Sequence, residues 1–347
     1  MNKLNYNVPI HFVLSGGASK GFVHIGAIKA LEEMGIKPSS ITGTSAGALF
    51  GAIYAMYGNY RDCINKIEQF MNSEIYKDFA EKYFTSEKDN KKNDFKENRK
   101  EEQKGSIYNF FKDKEKFKDR FSKVTSIISE KFSNVIKGTK AILNLFDDEA
   151  LIACEDIMKV YTEVFGSTKI EELKIPFAAI ASDVSSKSVY CFKSGSIVTA
   201  VAASTAIPFI FPSIRIDGKI LYDGGIVANL PVNESNELFG KGIRVGIDVA
   251  SPFEKLDENA NFIEIIQQIV STSIWSKQMS DRKLCDILFT PVEQKYNWFD
   301  FELKDELIET GYNYIIKRKD EINSKFIELA KNFNSKKSFF SFLKGQN

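Results

Sequence analysis

Histidine is nearly missing from this 347-residue chain: only His11 and His24 are present, and both lie close to the first residue. That excludes the common hydrolase order in which a histidine base follows the nucleophile, and it removes the most frequent zinc ligand. Cysteine is scarce as well. Cys63, Cys154, Cys191 and Cys285 form no C-x-x-C pair, so they read as small buried hydrophobes in a reducing compartment, and no structural metal is expected. An excess of either charge is lacking too, with 47 Lys and Arg against 46 Asp and Glu; no global field argues for nucleic acid or another polyanion. The uncharged runs 38–60 and 194–214 are broken by serine, threonine, glycine and proline, so no membrane-spanning segment is expected, and the first motif begins at Ser15, before a charged, apolar and cleavable leader would fit. The expectation is a cytoplasmic protein, at most peripheral at the inner membrane surface.

What the chain does contain is enough apolar material, 43% of its residues, for one large core. Residues 10–14 form a short apolar run stopped by Ser15-Gly16-Gly17, and Val23, Ala27, Ala30 and Leu31 then recur at helical spacing up to Gly35. Strand, glycine loop and helix follow in that order. The unit repeats where Ile41-Thr42 leads into Gly43-Thr44-Ser45-Ala46-Gly47 and the small-residue run 48–55. Two such units imply a parallel α/β sheet. Further strands are expected at 176–182, 188–192, 219–222, 243–249 and 285–290, with helices at 262–279 and 304–331 covering the sheet.

Between 86 and 123 the composition changes, with 13 Lys and Arg, 9 Asp and Glu, and no Val or Leu. The first half, to Gly105, reads as loop or disorder. In the second half Ile107, Phe110, Phe111, Phe117 and Phe121 fall near one helical face. The expected organisation is a domain over 8–295, interrupted at 80–150 by a charged helical insertion that is a candidate lid, and a C-terminal helical segment and tail over 296–347.

Gly43-Thr44-Ser45-Ala46-Gly47 is a G-x-S-x-G at a strand-to-helix junction, the context that gives the motif weight. Its glycines permit a tight turn that lifts the Ser45 hydroxyl above the positive end of the following helix. A serine needs a base, and neither histidine fits. His11 reads as a packed residue of the first strand, and His24 as a structural hydrogen-bonding residue one turn into the first helix. The best-placed carboxylate is Asp223, in Leu221-Tyr222-Asp223-Gly224-Gly225 at a strand end. If that strand runs parallel to the others, Asp223 and Ser45 share the carboxyl rim of the sheet. Burial would lift its pKa toward that of a useful base. Ser15-Gly16-Gly17-Ala18-Ser19-Lys20-Gly21 would supply main-chain N–H groups at Gly16, Gly17 and Ala18 for an oxyanion. Lys20 either adds positive charge or fixes the loop through a carbonyl, the second being preferred. A phosphate-binding loop fits poorly, since neither of its glycine patterns is matched.

These three motifs in this order make the chain resemble the patatin-like phospholipases. The likeness extends to 21–35, to Ala202-Ala-Ser-Thr-Ala-Ile-Pro208 with Phe211-Pro212, and to Asn229-Leu230-Pro231-Val232, covering about 9–80 and 170–295. The resemblance implies a three-layer α/β/α sandwich with a mostly parallel sheet. It also implies Ser45 as nucleophile, Asp223 as proton acceptor, an oxyanion hole in the glycine loop, and acyl-ester hydrolysis of phospholipids, lysophospholipids or neutral lipids without a cofactor. Gly21, Gly43, Gly47, Gly224 and Gly225 then stand as supports of the motifs. Ala18 departs from the family's more glycine-rich loop, mildly, because alanine tolerates most loop geometries except positive φ.

The expected partner is a phospholipid or other acyl-ester lipid, with transient membrane contact through the Phe-bearing, Lys-rich stretches 107–123 and 336–344. Two rivals remain: an acyltransferase or thioesterase with the same nucleophile, and a catalytically silent lipid-binding regulator. The sequence leaves the oligomeric state open.

Overall fold

The computed structural model describes residues 8–84, 150, 152–208, 210–250, 262–292, 296 and 300–344. The stretch 85–149, which carries most of the expected insertion and all of 107–123, lies outside the described residues; so do the side chains of 336–344.

One sheet organises the chain. Strands β1 (Ile10–Leu14), β2 (Ser40–Thr44), β3 (Phe177–Asp183), β7 (Ile243–Ile247) and β8 (Ile287–Phe289) run parallel in the order β3-β2-β1-β7-β8. Strands β4 (Ser188–Phe192), β5 (Ile214–Ile216) and β6 (Lys219–Asp223) form an antiparallel wing beyond β3. Every residue of β1, β2, β3 and β7 is buried, so none of these strands has a wet face, and the apolar run of β1 shows it most plainly.

Alternate residues of β1 enter two separate cores, as the two-residue period of a strand requires. Phe12 and Leu14 belong to the main core, whereas Val13 packs with Leu230 and Val232. The first face is covered by helices α1 (Phe22–Glu33), α2 (Ala46–Tyr57), α3 (Tyr60–Met71), α4 (Glu74–Phe84), α5 (Cys154–Phe165) and α6 (Ile197–Ser204). The second carries α7 (Gly225–Ala228), α8 (Val232–Phe239) and α9 (Phe262–Arg282). Helices on both faces of a mostly parallel sheet make a three-layer α/β/α sandwich, as expected.

Small residues decide how closely α2 approaches. A Cβ on Gly51 would press on Leu14 of β1 and Ile41 of β2, so the helix lies directly on the strands. The helix expected over 304–331 is two helices, α10 (Lys304–Ile316) and α11 (Lys319–Lys344), broken at Lys317-Arg318. The first half is fixed by α1. A Cβ on Gly26 would strike the Ile308 carbonyl and one on Gly311 the Val23 carbonyl, so the two helices touch backbone to backbone and α10 turns independently of α11.

β3 is the element that matters for the site. At seven residues it outruns β2, whose last partner on it is Ile180. β4 occupies one edge of β3 along 179–183. β6, paired antiparallel with Ala181, Ser182 and Asp183, must therefore share the other edge with β2. The strands β2 and β6 point at each other tip to tip, one ending at Thr44 and the other at Asp223.

Candidate active site

Ser45 stands at the tip of β2 as the N-cap of α2, with φ 55° and ψ −124°. A non-glycine residue in that conformation holds roughly 1–3 kcal/mol of strain, which persists only where the surroundings enforce it. Here they do. Carbons added to Gly43 or Gly47 would run into the Gly47 and Leu14 carbonyls, so strand and helix meet at a distance only hydrogens permit. The Ser45 N–H donates to Ser204 Oγ at 2.9 Å, and Ser204 Oγ donates to the Ile180 carbonyl at 2.5 Å. Thr44 Oγ1 donates to the Ala228 carbonyl at 2.7 Å.

Ser45 Oγ donates to Asp223 Oδ2 at 2.6 Å across 178 residues of sequence. The carboxylate arrives from β6, which is antiparallel to its neighbours, a correction to the parallel strand that the shared-rim argument assumed. The rim is shared nonetheless, because β6 starts beyond the carboxyl edge and returns to it. Both residues are buried at 7% exposure. Burial pushes the Asp223 carboxyl from 3.8 up to about 6, against the opposing pull of hydrogen bonds from Ser45 and the Gly225 N–H.

One short turn at the end of α6 holds both partners. Ser204 Oγ takes the Ser45 N–H, the Ser204 carbonyl takes the Gly224 N–H at 3.3 Å, and the Ala206 carbonyl takes the Asp223 N–H at 2.8 Å. Thr205 Oγ1, hydrogen-bonded to Tyr161 Oη at 2.7 Å, donates to the Val201 carbonyl and closes the turn. A Cβ on Gly224 would meet the Ile180 carbonyl and the Thr44 methyl, so this glycine sits where the two strand tips abut.

The glycine loop is held from β7 and α1. Ser15 Oγ accepts the Val249 N–H at 2.9 Å, the Ser15 N–H donates to Ile247, and His24 Nε2 lies 2.9 Å from the Ser15 carbonyl. A carbonyl only accepts, so Nε2 carries the proton and the neutral ring leaves Nδ1 bare; that atom is buried with no partner among the described residues. Burial lowers the His24 pKa to about 4. Lys20 is buried, its N–H closing on the Gly17 carbonyl at 3.1 Å, and Gly21 faces the Phe50 ring and Ala46.

Two expectations about this loop change. The Gly16 N–H donates to the Asn229 carbonyl at 3.1 Å, so it is engaged rather than aimed at an anion. For Gly17 and Ala18, no main-chain carbonyl among the described residues accepts their N–H groups. Ala18 sits at φ 51°, the one region where its departure from glycine is not mild. Asn229 in turn donates to Gln278 at 3.1 Å, and Gln278 and Arg282 both donate to the buried Asp248, at 2.7 and 2.6 Å.

The other histidine is remote from this arrangement. His11 hydrogen-bonds Ser40 at 2.7 Å and stacks on Phe239, and burial with the nearby Arg244 charge lowers its pKa to about 4. Among the described residues no group of three or more His, Cys, Asp or Glu is placed to hold a metal ion, and no helix is long and apolar enough to cross a membrane.

The patatin-like phospholipase family model matches residues 12–235, from β1 through the Ser45 and Asp223 motifs into α8. The chain belongs to that family. Among its relatives are human patatin-like phospholipase domain-containing protein 6, 23% identical over 88% of this chain and 20% of that protein, and lysophospholipase NTE1 of Scheffersomyces stipitis, 23% identical over 89% and 18%. An uncharacterised NTE family protein of Mycobacterium tuberculosis is 25% identical over 64% of this chain and 44% of its own length. The chain thus spans about a fifth of the first two and under half of the third. VipD from Legionella pneumophila is a similar solved structure, with TM-score 0.43 and 17% identity over 90% of this chain and 67% of that one.

Within this patatin-like domain the sequence motifs flagged Ser204 and Asn229 without a role for either. Both lay in stretches carrying the family likeness. The one signal for Ser204 was a hydroxyl among alanines in a helix whose other polar residue is Thr199, and nothing local pointed it at residue 45.

Proposed function

We propose that the chain is a serine-dependent acyl hydrolase of the phospholipase A or lysophospholipase type, with Ser45 as nucleophile and Asp223 as proton acceptor. The observation that carries the reading is the 2.6 Å Ser45–Asp223 hydrogen bond, made to a carboxyl that burial lifts to about 6, above the usual carboxylate range and toward that of a useful base. Family membership and relatives named as lysophospholipases support a lipid acyl ester as substrate.

In the first step Asp223 takes the hydroxyl proton while Ser45 Oγ attacks the ester carbonyl carbon. Negative charge then develops on the carbonyl oxygen, where the Gly17 and Ala18 N–H groups are the available donors and the positive end of α2 adds to the field. Collapse breaks the ester bond, and the proton held by Asp223 passes to the departing alcohol oxygen. Water enters, gives its proton to Asp223 and attacks the acyl-serine, releasing a fatty acid and restoring both side chains.

A fluorophosphonate probe is expected to label the wild-type protein and to leave Ser45→Ala unlabelled, with lysophosphatidylcholine hydrolysis lost in parallel. Hydrolysis that survives Ser45→Ala overturns the reading.

A further inference from the structure

The apolar side chains that the protein leaves in water are unevenly placed. Six large hydrophobic residues are exposed among the described residues, and four of them, Val184, Ile226, Ile265 and Ile269, lie at or beyond the carboxyl rim. Val184 follows the overhanging end of β3, and Ile226 comes three residues after Asp223 at the start of α7.

The isoleucines of α9 are placed by the path of that helix. Gln278 is level with the rim, because it bonds Asp248, the residue after β7. By Asp286, whose N–H donates to the Arg244 carbonyl, the chain has descended to the opposite end of β7. Followed the other way, the thirteen residues from Gln278 back to Ile265 carry the helix about 20 Å past the rim, at 1.5 Å per residue. Ile265 and Ile269 are one turn apart and share a face; Ile269 is 60% exposed.

Charge divides the same helix. From Ile265 to Ser276 there is no Asp, Glu, Lys or Arg, whereas Lys277, Asp281 and Arg282 follow beside the sheet. A surface recognised through its own charge has only Glu264, in the first turn, to meet on the projecting half, which fits an interface entered by apolar side chains. Ser45 and Asp223 stand at the same rim, each 7% exposed, so a surface held against that rim lies on their side of the sheet.

Resting on the hydrolase reading, we propose that the projecting half of α9, with Ile226 on the adjoining α7, docks on a zwitterionic phospholipid surface and holds the mouth of the site against it. The isoleucines enter the interfacial region, where apolar area is removed from water without electrostatic help.

The test is co-sedimentation of the full chain with phosphatidylcholine vesicles, on a Ser45→Ala background so that the lipid is not consumed. The Ile265→Ser/Ile269→Ser double variant is expected to bind at least tenfold more weakly, with unchanged thermal melting. Ile226→Ser should give a smaller loss. Leu284→Ser, which alters an exposed apolar residue at the other end of α9, should bind as the parent does. The proposal is overturned if the parent does not bind, if the double variant binds equally well, or if Leu284→Ser weakens binding as much. It is overturned as well if gel filtration shows the parent to be a dimer that the double variant dissolves, since the patch then belongs to a second copy. Hydrolysis of a water-soluble short-chain ester by the wild-type chain separately decides the hydrolase reading, and the vesicle result stands whichever way that falls.

Discussion

The parallel strands and the antiparallel wing reach the same point by different means. β1, β2 and β7 bring main chain: the glycine loop, the N-terminus of α2 and the turn that lifts Ser45. The wing brings a single side chain, the Asp223 carboxylate, on a five-residue strand paired with only the last three residues of β3. Main-chain groups survive most substitutions, because every residue but proline carries the same N–H. A carboxylate has no such redundancy. The contrast predicts a steep gradient of sensitivity, with substitutions severe where the wing meets β2 and mild in the loop.

The largest effect is expected for Asp223→Asn. The substitution preserves shape and removes the proton acceptor, and the comparable loss in a serine triad lowers kcat on the order of 10⁴-fold. A fall of less than tenfold in lysophospholipid turnover would break the comparison, because the wing would then contribute no chemistry.

Ser204→Ala probes the joint between the two regions. It takes the partner from the buried Ser45 N–H, and an unsatisfied buried donor costs about 1–3 kcal/mol. If all of that appears in the transition state, kcat falls roughly 5- to 140-fold, at about 1.4 kcal/mol per decade. KM should hold steady, since Ser204 Oγ is bonded to Ser45 and Ile180. A purely structural Ser204 would show a lowered melting temperature with kcat intact.

The two regions were also unequally legible in the sequence. The parallel strands announced themselves because both of their faces are buried, and Gly43-Thr44-Ser45-Ala46-Gly47 because tight strand-to-helix turns demand small residues. Asp223-Gly224-Gly225 marked a site but not the direction of its strand, which depends on pairing with an overhang about 40 residues upstream. Nor did the break in the C-terminal helix at Lys317-Arg318 have a local sign, since neither proline nor glycine stands there. It follows from the backbone contact of Gly26 with α10, a constraint set by another part of the chain. The engagement of Gly16 with Asn229 is hidden for the same reason: 213 positions separate the two residues.

The buried carboxyl should set activity and stability against each other as pH changes. Activity needs ionised Asp223, so kcat/KM is expected to rise through about pH 6 and then level off. Stability runs the other way. The folded pKa lies above the unfolded 3.8, so between about pH 4 and 6 the folded state binds more protons and loses stability as pH rises. At pH 8 the removal of this burial penalty in Asp223→Asn is worth on the order of 2–3 kcal/mol, an advantage that should fade as the pH falls below 6 toward 4. Urea unfolding of both proteins at pH 4 and pH 8 reads the difference directly; an advantage that does not change with pH would mean that Asp223 is not strained by burial.

The smallest effect is expected on the main-chain side, at Ala18. Its φ of 51° places an alanine where an L-residue meets its own carbonyl, at a cost of about 1–2 kcal/mol. Glycine removes that clash but adds freedom to the unfolded chain worth roughly 0.4–1 kcal/mol. Ala18→Gly should therefore stabilise the protein by only about 1 kcal/mol, measured as a raised urea midpoint with an unchanged slope. Because the substitution keeps the N–H itself, kcat is expected to move by less than about threefold, under 0.7 kcal/mol of barrier. A tenfold fall would sharpen the comparison in an unforeseen direction: the alanine methyl, by restricting the loop, would then be holding the N–H on its target, and the loop would prove as dependent on one side chain as the wing is on Asp223.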